Sequence, residues 1–148
     1  DNEPVLGVIY RFAAGEMYYG VVGEGAYCNG EPIHTSDVTQ IRKAILATGF
    51  PVKRDYGKES LERFVTKVQQ FKKVRMLGAA AIMGVLVAAG RFDVYVEEGI
   101  MLWDIAASTA IVSAAGGEVK VEPMGDDRCL CCLFATRALM EEYHAESL

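Results

Sequence analysis

Three carboxylates near the middle of the chain could bind a cation or a hydroxyl-bearing ligand. Glu97 and Glu98 directly follow residues 93–96, whose β-branched and aromatic types predict a strand. Asp104 precedes an Ala-rich apolar run that is long enough for a helix and ends at paired glycines. We therefore expect Asp104 at the helix N-cap or in the first turn, where free N–H groups stabilise a carboxylate. It could simply cap the helix, or it could bind a metal ion at the exit of the strand.

The segment around Asp104 resembles a family signature. Residues 103–107 read W-D-I-A-A and residues 114–117 read A-A-G-G. This pattern is similar to the W-D-x-A-A-G and E-A-G-G signature near the C-terminus of the inositol monophosphatase family, which comprises Mg²⁺-dependent, lithium-sensitive sugar and inositol phosphatases. Ser108 stands where the family usually has Gly, and Ala114 where it often has Glu. Neither position is a metal ligand in the family, so we interpret both as packing variants.

A second resemblance lies in the N-terminal quarter of the chain. Residues 5–12 and 17–22 are rich in Val, Ile and Tyr and predict a hairpin, followed by a short strand at residues 26–28. Asn29 and Gly30 predict a tight turn because both residue types tolerate positive φ. The stretch resembles the family's hairpin with its G-x-G-A-x-x-N-G turn, which is structural. It predicts a meander at a sheet edge.

A third resemblance lies where a predicted short strand leads to an apolar helix. Arg75 and the run Gly78, Ala79 and Ala80 resemble the family's R-x-x-G-[ST]-A-A segment, in which the backbone of the turn contacts substrate hydroxyls. Ala79 replaces the usual Ser or Thr, so only backbone donors remain. Alone, the turn could serve only to pack the helix on the strand. We interpret Arg75 as a structural ion-pair residue rather than a catalytic one.

The remaining pattern predicts an α/β fold, with a mixed β-sheet layered with α-helices. The resemblance identifies it as the C-terminal part of an αβαβα sugar-phosphatase sandwich. Cys129, Cys131 and Cys132 are expected as buried thiols on a strand rather than as zinc ligands, and His144 is expected at the surface. The other predicted elements are strands at 44–48, 73–77, 118–121 and 129–134, turns at 53–56 and 122–127, and helices at 58–71, 79–89 and 135–144.

Bulk composition excludes several classes of protein. The 148 residues suit a single domain, predicted to span residues 1–148, and a net charge of −5 argues against nonspecific nucleic-acid binding. Apolar stretches are interrupted too often for a membrane span, so no membrane partner is expected. Four cysteines without a metal-site spacing fit a reducing cytoplasm. The first residue is Asp rather than Met, which suggests a fragment.

The resemblance implies a chemistry and assigns residues to it. It implies Mg²⁺ as cofactor with Asp104 as a metal ligand, and Glu97 as an acceptor of hydrogen bonds from substrate hydroxyls. It implies that Gly78, Ala79 and Ala80 bind substrate through backbone N–H groups. The expected partner is a small phosphate ester, such as inositol monophosphate or a related sugar phosphate, and the expected assembly is a homodimer. No residue of this chain is predicted to be catalytic.

Part of the family pattern does not occur in this sequence. The family's other metal ligands lie in an upstream Glu-Glu pair and a D-P-[IL]-D-G-[ST] turn, and the sequence has neither. Glu97 and Glu98 are not that pair, and as neighbours on a strand they should point to opposite faces. We therefore expect the C-terminal half of such a phosphatase, inactive alone. The alternatives are a non-catalytic module that keeps the fold and, more weakly, a nucleotide-binding domain, although no phosphate-loop motif follows a predicted strand.

Overall fold

The computed structural model describes residues 3–50 and 55–145, so residues 53 and 54 of the turn predicted at 53–56 lie outside the described residues. Within these ranges the chain alternates strands and helices, with short 3₁₀ turns at Phe12–Ala14 and Ile41–Lys43. The strands are β1 (Leu6–Arg11), β2 (Glu16–Val21), β3 (Gly25–Cys28), β4 (Glu31–Ile33), β5 (Ile45–Ala47), β6 (Lys73–Arg75), β7 (Val94–Met101), β8 (Glu118–Gly125) and β9 (Arg128–Phe134). The helices are α1 (Lys58–Val68), α2 (Ala80–Ala88), α3 (Leu102–Ala114) and α4 (Arg137–Ala145).

The first four strands form an antiparallel meander in the order β1-β2-β3-β4. The sequence predicted its first three strands but not β4, and the meander forms a sheet of its own rather than the edge of a larger one. Asn29 has a φ of 51°, and its side chain bridges the turn. Its Oδ1 accepts a hydrogen bond from the Met17 N–H at 2.8 Å, and its Nδ2 donates to the Gly15 carbonyl at 2.9 Å. The predicted Asn-Gly turn is therefore confirmed, and the Asn amide ties it to the preceding hairpin.

The other five strands form a mixed sheet in the order β6-β5-β7-β9-β8. β5 pairs in parallel with both β6 and β7, whereas β9 pairs antiparallel with β7 and β8. β6 ends at Arg75 rather than at residue 77, and two other strands extend further than predicted. β7 continues to Met101 because β9 pairs with it throughout and the register shifts at Gly99, whose φ is 79°. β8 continues to Gly125, so the turn predicted at residues 122–127 shrinks to its last residues.

Two helices lie between the sheets, and the other two cover the far face of the mixed sheet. α2 and α3 share one core cluster with Tyr95 and Leu133 of the mixed sheet and Tyr18 of the meander. α4 packs on the opposite face, where Leu139 is fully buried. His144 was predicted to be at the surface, which is wrong. Its ring is half-buried against Phe134 and Tyr143 because α4 presents its last turn to the sheet.

Close approach between α2 and α3 explains one departure from the family signature. Gly84 of α2 faces Ser108 of α3 so closely that a Cβ at position 84 would lie 2.5 Å from the Ser108 Cβ. Ser108 is fully buried, and its hydroxyl donates to the Ile105 carbonyl at 2.9 Å. The extra hydroxyl is therefore satisfied within its own helix, as expected of a packing variant.

The outer face of the meander is apolar and exposed. Alternate residues of β1 and β2 point away from the core, so that Leu6, Val8 and Tyr10 are each more than half exposed and Met17 is 44% exposed. In the described part of the chain, helices are too short or too polar to cross a bilayer.

Candidate functional site

The strand ends of the mixed sheet bring the candidate residues to one edge. The parallel register pairs Ala47 of β5 with Arg75 of β6 and with Tyr95 of β7. The three strands therefore run in the same direction, β7 continues six residues further to Met101, and α2 and α3 follow the carboxyl ends of β6 and β7. Both helices therefore start at the same end of the sheet. Such an edge is where open α/β sheets bind ligands.

Asp104 lies in the first turn of α3, as predicted, and its carboxylate is exposed. The N-cap residue of α3 is Met101, and no side chain makes a capping hydrogen bond there. Among the described residues, none donates a hydrogen bond or forms an ion pair with the Asp104 carboxylate. A residue that served only as a cap would hydrogen-bond to backbone N–H groups. The carboxylate is instead available to a cation from solvent.

Glu97 differs from Asp104 in being buried, with 6% of its surface exposed. The hydroxyl of Tyr95 donates a hydrogen bond to Glu97 Oε2 at 3.0 Å. Burial raises the pKa of the Glu97 carboxyl, the Tyr95 hydrogen bond partly opposes this, and the negative charge of Asp104 raises the pKa further. Glu97 and Asp104 thus interact electrostatically, and within the described part of the chain no cation compensates Glu97.

Glu98 points to the other face of the sheet, as the strand geometry predicted. It lines a cleft of about 940 Å³ between α1 and the β8–β9 hairpin, with Phe64 and Arg128 also in its walls. Neither Glu97 nor Asp104 lines this cleft. The two adjacent glutamates therefore belong to different surfaces and do not form one metal site.

Two residues at the end of β5 shape the environment of Glu97. The Thr48 hydroxyl donates to the Val96 carbonyl at 2.6 Å, which ties the end of β5 to β7. Next to it, Gly49 lies against the Glu97 carboxylate, and a Cβ at position 49 would lie 2.4 Å from Glu97 Oε2. Sequence reasoning missed Thr48, Gly49 and Tyr95. Only Tyr95 carried a signal, because a residue two positions before Glu97 shares its face of the strand.

The start of α2 is exposed. Gly78 has a φ of 70°, and Ala79 is the N-cap residue with an extended backbone and no side-chain cap. The first N–H groups of α2, including that of Ala80, lack intrahelical acceptors and lie beside the exposed turn. Arg75 donates to the neighbouring Val74 carbonyl, and it forms no ion pair with the described residues, so its predicted structural ion pair is wrong.

The cysteines take no part in this edge. Cys129, Cys131 and Cys132 are buried on β9 as predicted, and burial raises the pKa of each thiol. In residues 3–50 and 55–145, side chains of His, Cys, Asp and Glu form no group of three that could hold a metal ion.

Comparison with known proteins agrees with the motifs. The model of the inositol monophosphatase family matches residues 1–142. The chain is 37% identical over 119 residues to the fructose-1,6-bisphosphatase/inositol-1-monophosphatase of Thermotoga maritima, covering 80% of this chain and 44% of that protein. It is 34% identical over 123 residues to human inositol monophosphatase 2, covering 80% and 42%.

The solved structures agree on the fold. The inositol monophosphatase from Anabaena superposes with a TM-score of 0.86 at 30% identity, and the match covers 98% of this chain and 59% of that one. The chain spans about half the length of the relatives it matches. From the family match and the fold, this chain belongs to the inositol monophosphatase family.

Proposed function

We propose that the protein containing this chain is a Mg²⁺-dependent phosphomonoester hydrolase acting on inositol monophosphate or a related sugar phosphate. The observation that carries the proposal is the pair formed by Glu97 and Asp104 at one sheet edge. Neither carboxylate is compensated by a cation from the described residues, although Glu97 is buried. Uncompensated carboxylates, one of them in the first turn of a helix, suit a ligand that brings both a cation and polar groups.

The donor set at this edge fits Mg²⁺. Asp104 offers hard carboxylate oxygens, is exposed, and has no competing partner among the described residues. Asp104 would hold the ion, and bound Mg²⁺ supplies phosphate charge neutralisation and a more acidic bound water. Further ligands are required because Mg²⁺ takes six oxygens. We propose that residues 1–148 form a single domain equivalent to the C-terminal half, and that an upstream half supplies those ligands.

The substrate's hydroxyl groups would be bound by this chain. Glu97 would accept a hydrogen bond from a hydroxyl through the carboxylate oxygen that Tyr95 does not hold. The backbone N–H groups at Gly78, Ala79 and Ala80 would donate to the substrate, since Ala79 has no hydroxyl to offer. A charged acceptor at Glu97 and neutral donors at α2 favour a polyhydroxylated ester over an apolar one.

A non-catalytic binding module is the second candidate. It is favoured by the exposed apolar face of the meander, which could bind another protein. The coding sequence upstream of Asp1 separates the two candidates. A D-P-[IL]-D-G-[ST] motif there supports the enzyme, and its absence from the complete coding sequence supports the module.

The test is a phosphate-release screen of the protein expressed from its complete coding sequence, with Mg²⁺. Inositol 1-phosphate, fructose 1,6-bisphosphate, histidinol phosphate and phosphoadenosine phosphate are the substrates. We expect Mg²⁺-dependent phosphate release from at least one of them. If no phosphate is released from any of the four substrates, the proposal is contradicted.

Residues 1–148 expressed alone should release no phosphate, because they offer the ion one ligand, Asp104. An Asp104→Asn variant of the same residues is the matched control. Metal-dependent release that the control abolishes would show that this ligand count is wrong. Sedimentation of the complete protein tests the proposed homodimer, and cell fractionation tests the proposed cytoplasmic location.

A further inference from the structure

The Glu97 carboxylate is held in one orientation by its neighbours on two strands. The Tyr95 hydroxyl lies 3.0 Å from Oε2, and Tyr95 itself is fully buried, so its ring cannot swing away. Oε1 receives no hydrogen bond from the described residues. One oxygen of the carboxylate is thus occupied, and the other is left for a ligand.

Gly49 provides the space that this orientation requires. A Cβ at position 49 would lie 2.4 Å from Oε2, 2.8 Å from Cδ and 2.9 Å from Oε1 of Glu97. All three distances are shorter than a van der Waals contact, so any side chain at position 49 would displace the carboxylate. The backbone φ of Gly49 is outside the left-handed region, so its conformation does not require glycine. Glu97 is the steric reason for glycine at this position.

The position of Gly49 is itself fixed. The Thr48 hydroxyl donates to the Val96 carbonyl, and the Thr48 N–H donates to the Arg75 carbonyl at 3.0 Å. The end of β5 is therefore tied to both neighbouring strands, directly beside Glu97. Gly49 cannot move away to accommodate a different carboxylate position without breaking these bonds.

We propose that Tyr95 and Gly49 are positioning residues that direct one oxygen of Glu97 toward a substrate hydroxyl. This inference rests on the proposed function, in which Glu97 accepts that hydroxyl. Tyr95 and Gly49 act through Glu97 and do not touch the substrate. Tyr95 fixes one oxygen with a hydrogen bond, and Gly49 fixes the plane of the carboxylate by contact. Substituting either residue should therefore lower the hydrolysis of hydroxylated substrates and spare substrates without a hydroxyl.

A second tyrosine–glutamate pair in the chain supplies a matched control. Tyr18 is also fully buried, and its hydroxyl donates to Glu16 at 2.9 Å, again two residues apart on one strand. Tyr18 lies in the meander, away from the edge where Glu97 and Asp104 meet. Tyr95→Phe and Tyr18→Phe thus delete the same group from the same kind of pair.

The first measurement is independent of activity. The protein is labelled with ¹³C at the Glu side-chain carboxyl, and the signals of Glu97 and Glu16 are assigned with their Gln variants. We expect Tyr95→Phe to move the Glu97 signal at pH 7 and leave that of Glu16, and Tyr18→Phe to do the reverse. An unmoved Glu97 signal in Tyr95→Phe would overturn the inference.

The second measurement compares two phosphate esters hydrolysed by the complete protein with Mg²⁺. We expect Tyr95→Phe to lower kcat/KM for inositol 1-phosphate about tenfold, mainly through KM, which is the scale of one hydrogen bond to a charged group. Hydrolysis of 4-nitrophenyl phosphate, which has no hydroxyl, should be unaffected, and Tyr18→Phe should affect neither ester. Equal losses on both esters would indicate general damage and overturn the positioning role.

Gly49→Ala should act in the same direction and more strongly, because it displaces both oxygens at once. If Gly49→Ala fails to fold, Tyr95→Phe still decides the question. If the wild-type protein hydrolyses neither ester, the proposed function fails and the substrate part of this inference fails with it. The carboxyl signals then still report whether Tyr95 holds Glu97, so the two failures are distinguishable.

Discussion

The two tyrosine–glutamate pairs, each with a buried tyrosine, have the same local geometry and opposite electrostatic surroundings. Glu16 forms ion pairs with Arg11 at 2.9 Å and with Arg91 at 3.0 Å. The hydrogen bond from Arg11, followed by those from Tyr18 and Arg91, lowers the pKa of the Glu16 carboxyl below its ordinary value. Glu16 thereby joins β2 to the loop after α2, which is a structural task.

Among the described residues, Glu97 has a tyrosine partner but no arginine partner. Burial raises its pKa, and its charged neighbour is Asp104, which repels it. Two arginine guanidiniums form ion pairs with Glu16, whereas none among the described residues forms one with Glu97. The difference indicates that the charged Glu97 side chain lowers the free energy of unfolding, which is typical of residues at functional sites.

The largest expected effect concerns the Mg²⁺ ion that Asp104 is proposed to bind. In the complete protein, Asp104→Asn should lower activity roughly 100-fold at limiting Mg²⁺, because an amide removes a charge that the ion needs. Excess Mg²⁺ should restore part of the activity. The measurement is initial rate against Mg²⁺ concentration for both proteins. Identical curves would remove Asp104 from the list of ligands.

Glu97→Gln should have a smaller and different effect. We expect kcat/KM for inositol 1-phosphate to fall about tenfold, mainly through KM, since a neutral amide accepts hydrogen bonds more weakly than a carboxylate. The Mg²⁺ concentration for half-maximal rate should stay unchanged, and the preference between two sugar phosphates should shift. Glu16→Gln is the matched control and should leave kcat/KM, the Mg²⁺ dependence and the substrate preference unchanged. A large shift in Mg²⁺ dependence would make Glu97 a metal ligand instead.

Local sequence signals predicted most of the fold. The Asn-Gly turn, the apolar helices α2 and α3 and the strands that precede them depend on neighbouring residues, so their patterns could be interpreted directly. The continuation of β7 through Glu97, Glu98 and Gly99 could not be predicted in this way, because these residue types are weak strand formers. Pairing with β9 overrides that preference, and the irregularity at Gly99 accommodates it.

The candidate site was predictable only in part. Asp104 was singled out from its position at the start of a predicted helix, and both Asp104 and Glu97 were assigned to the site from the resemblance of their segment to the family signature. Gly49 lies 48 residues before Glu97 in sequence, and their contact depends on the parallel register between β5 and β7, which no local pattern encodes. Positive identification of such neighbours requires the tertiary structure.

The two Gln variants should change the thermal midpoint in opposite directions. At pH 7, Glu97→Gln should raise the thermal midpoint, because it removes an uncompensated buried charge. Glu16→Gln should lower the midpoint, because it weakens two ion pairs with arginine. Each change should be a few degrees, and differential scanning calorimetry of the complete protein measures both. A lower midpoint for Glu97→Gln would mean that Glu97 stabilises the fold, and the contrast with Glu16 would be lost.

The smallest expected effect is the pH dependence of these two stability differences. The ordinary pKa of both carboxyls is 4.5, which we take for the unfolded chain. The folded pKa of Glu97 is raised, so the folded state binds the proton more tightly and stability falls as pH rises from 4.5 through the folded pKa. The folded pKa of Glu16 is lowered, so its contribution is present above pH 4.5 and is lost as pH falls through the folded pKa.

The two variants should therefore converge on the wild type in different pH ranges. The advantage of Glu97→Gln should shrink as pH is lowered from neutrality through 4.5, because below that pH the wild-type carboxyl is protonated in both states. The disadvantage of Glu16→Gln should persist to pH 4.5 and disappear only below it. Thermal midpoints recorded in steps across this range measure both windows. If the midpoint differences of both variants vanished in the same pH range, the opposite surroundings of Glu16 and Glu97 would not explain their effects on stability.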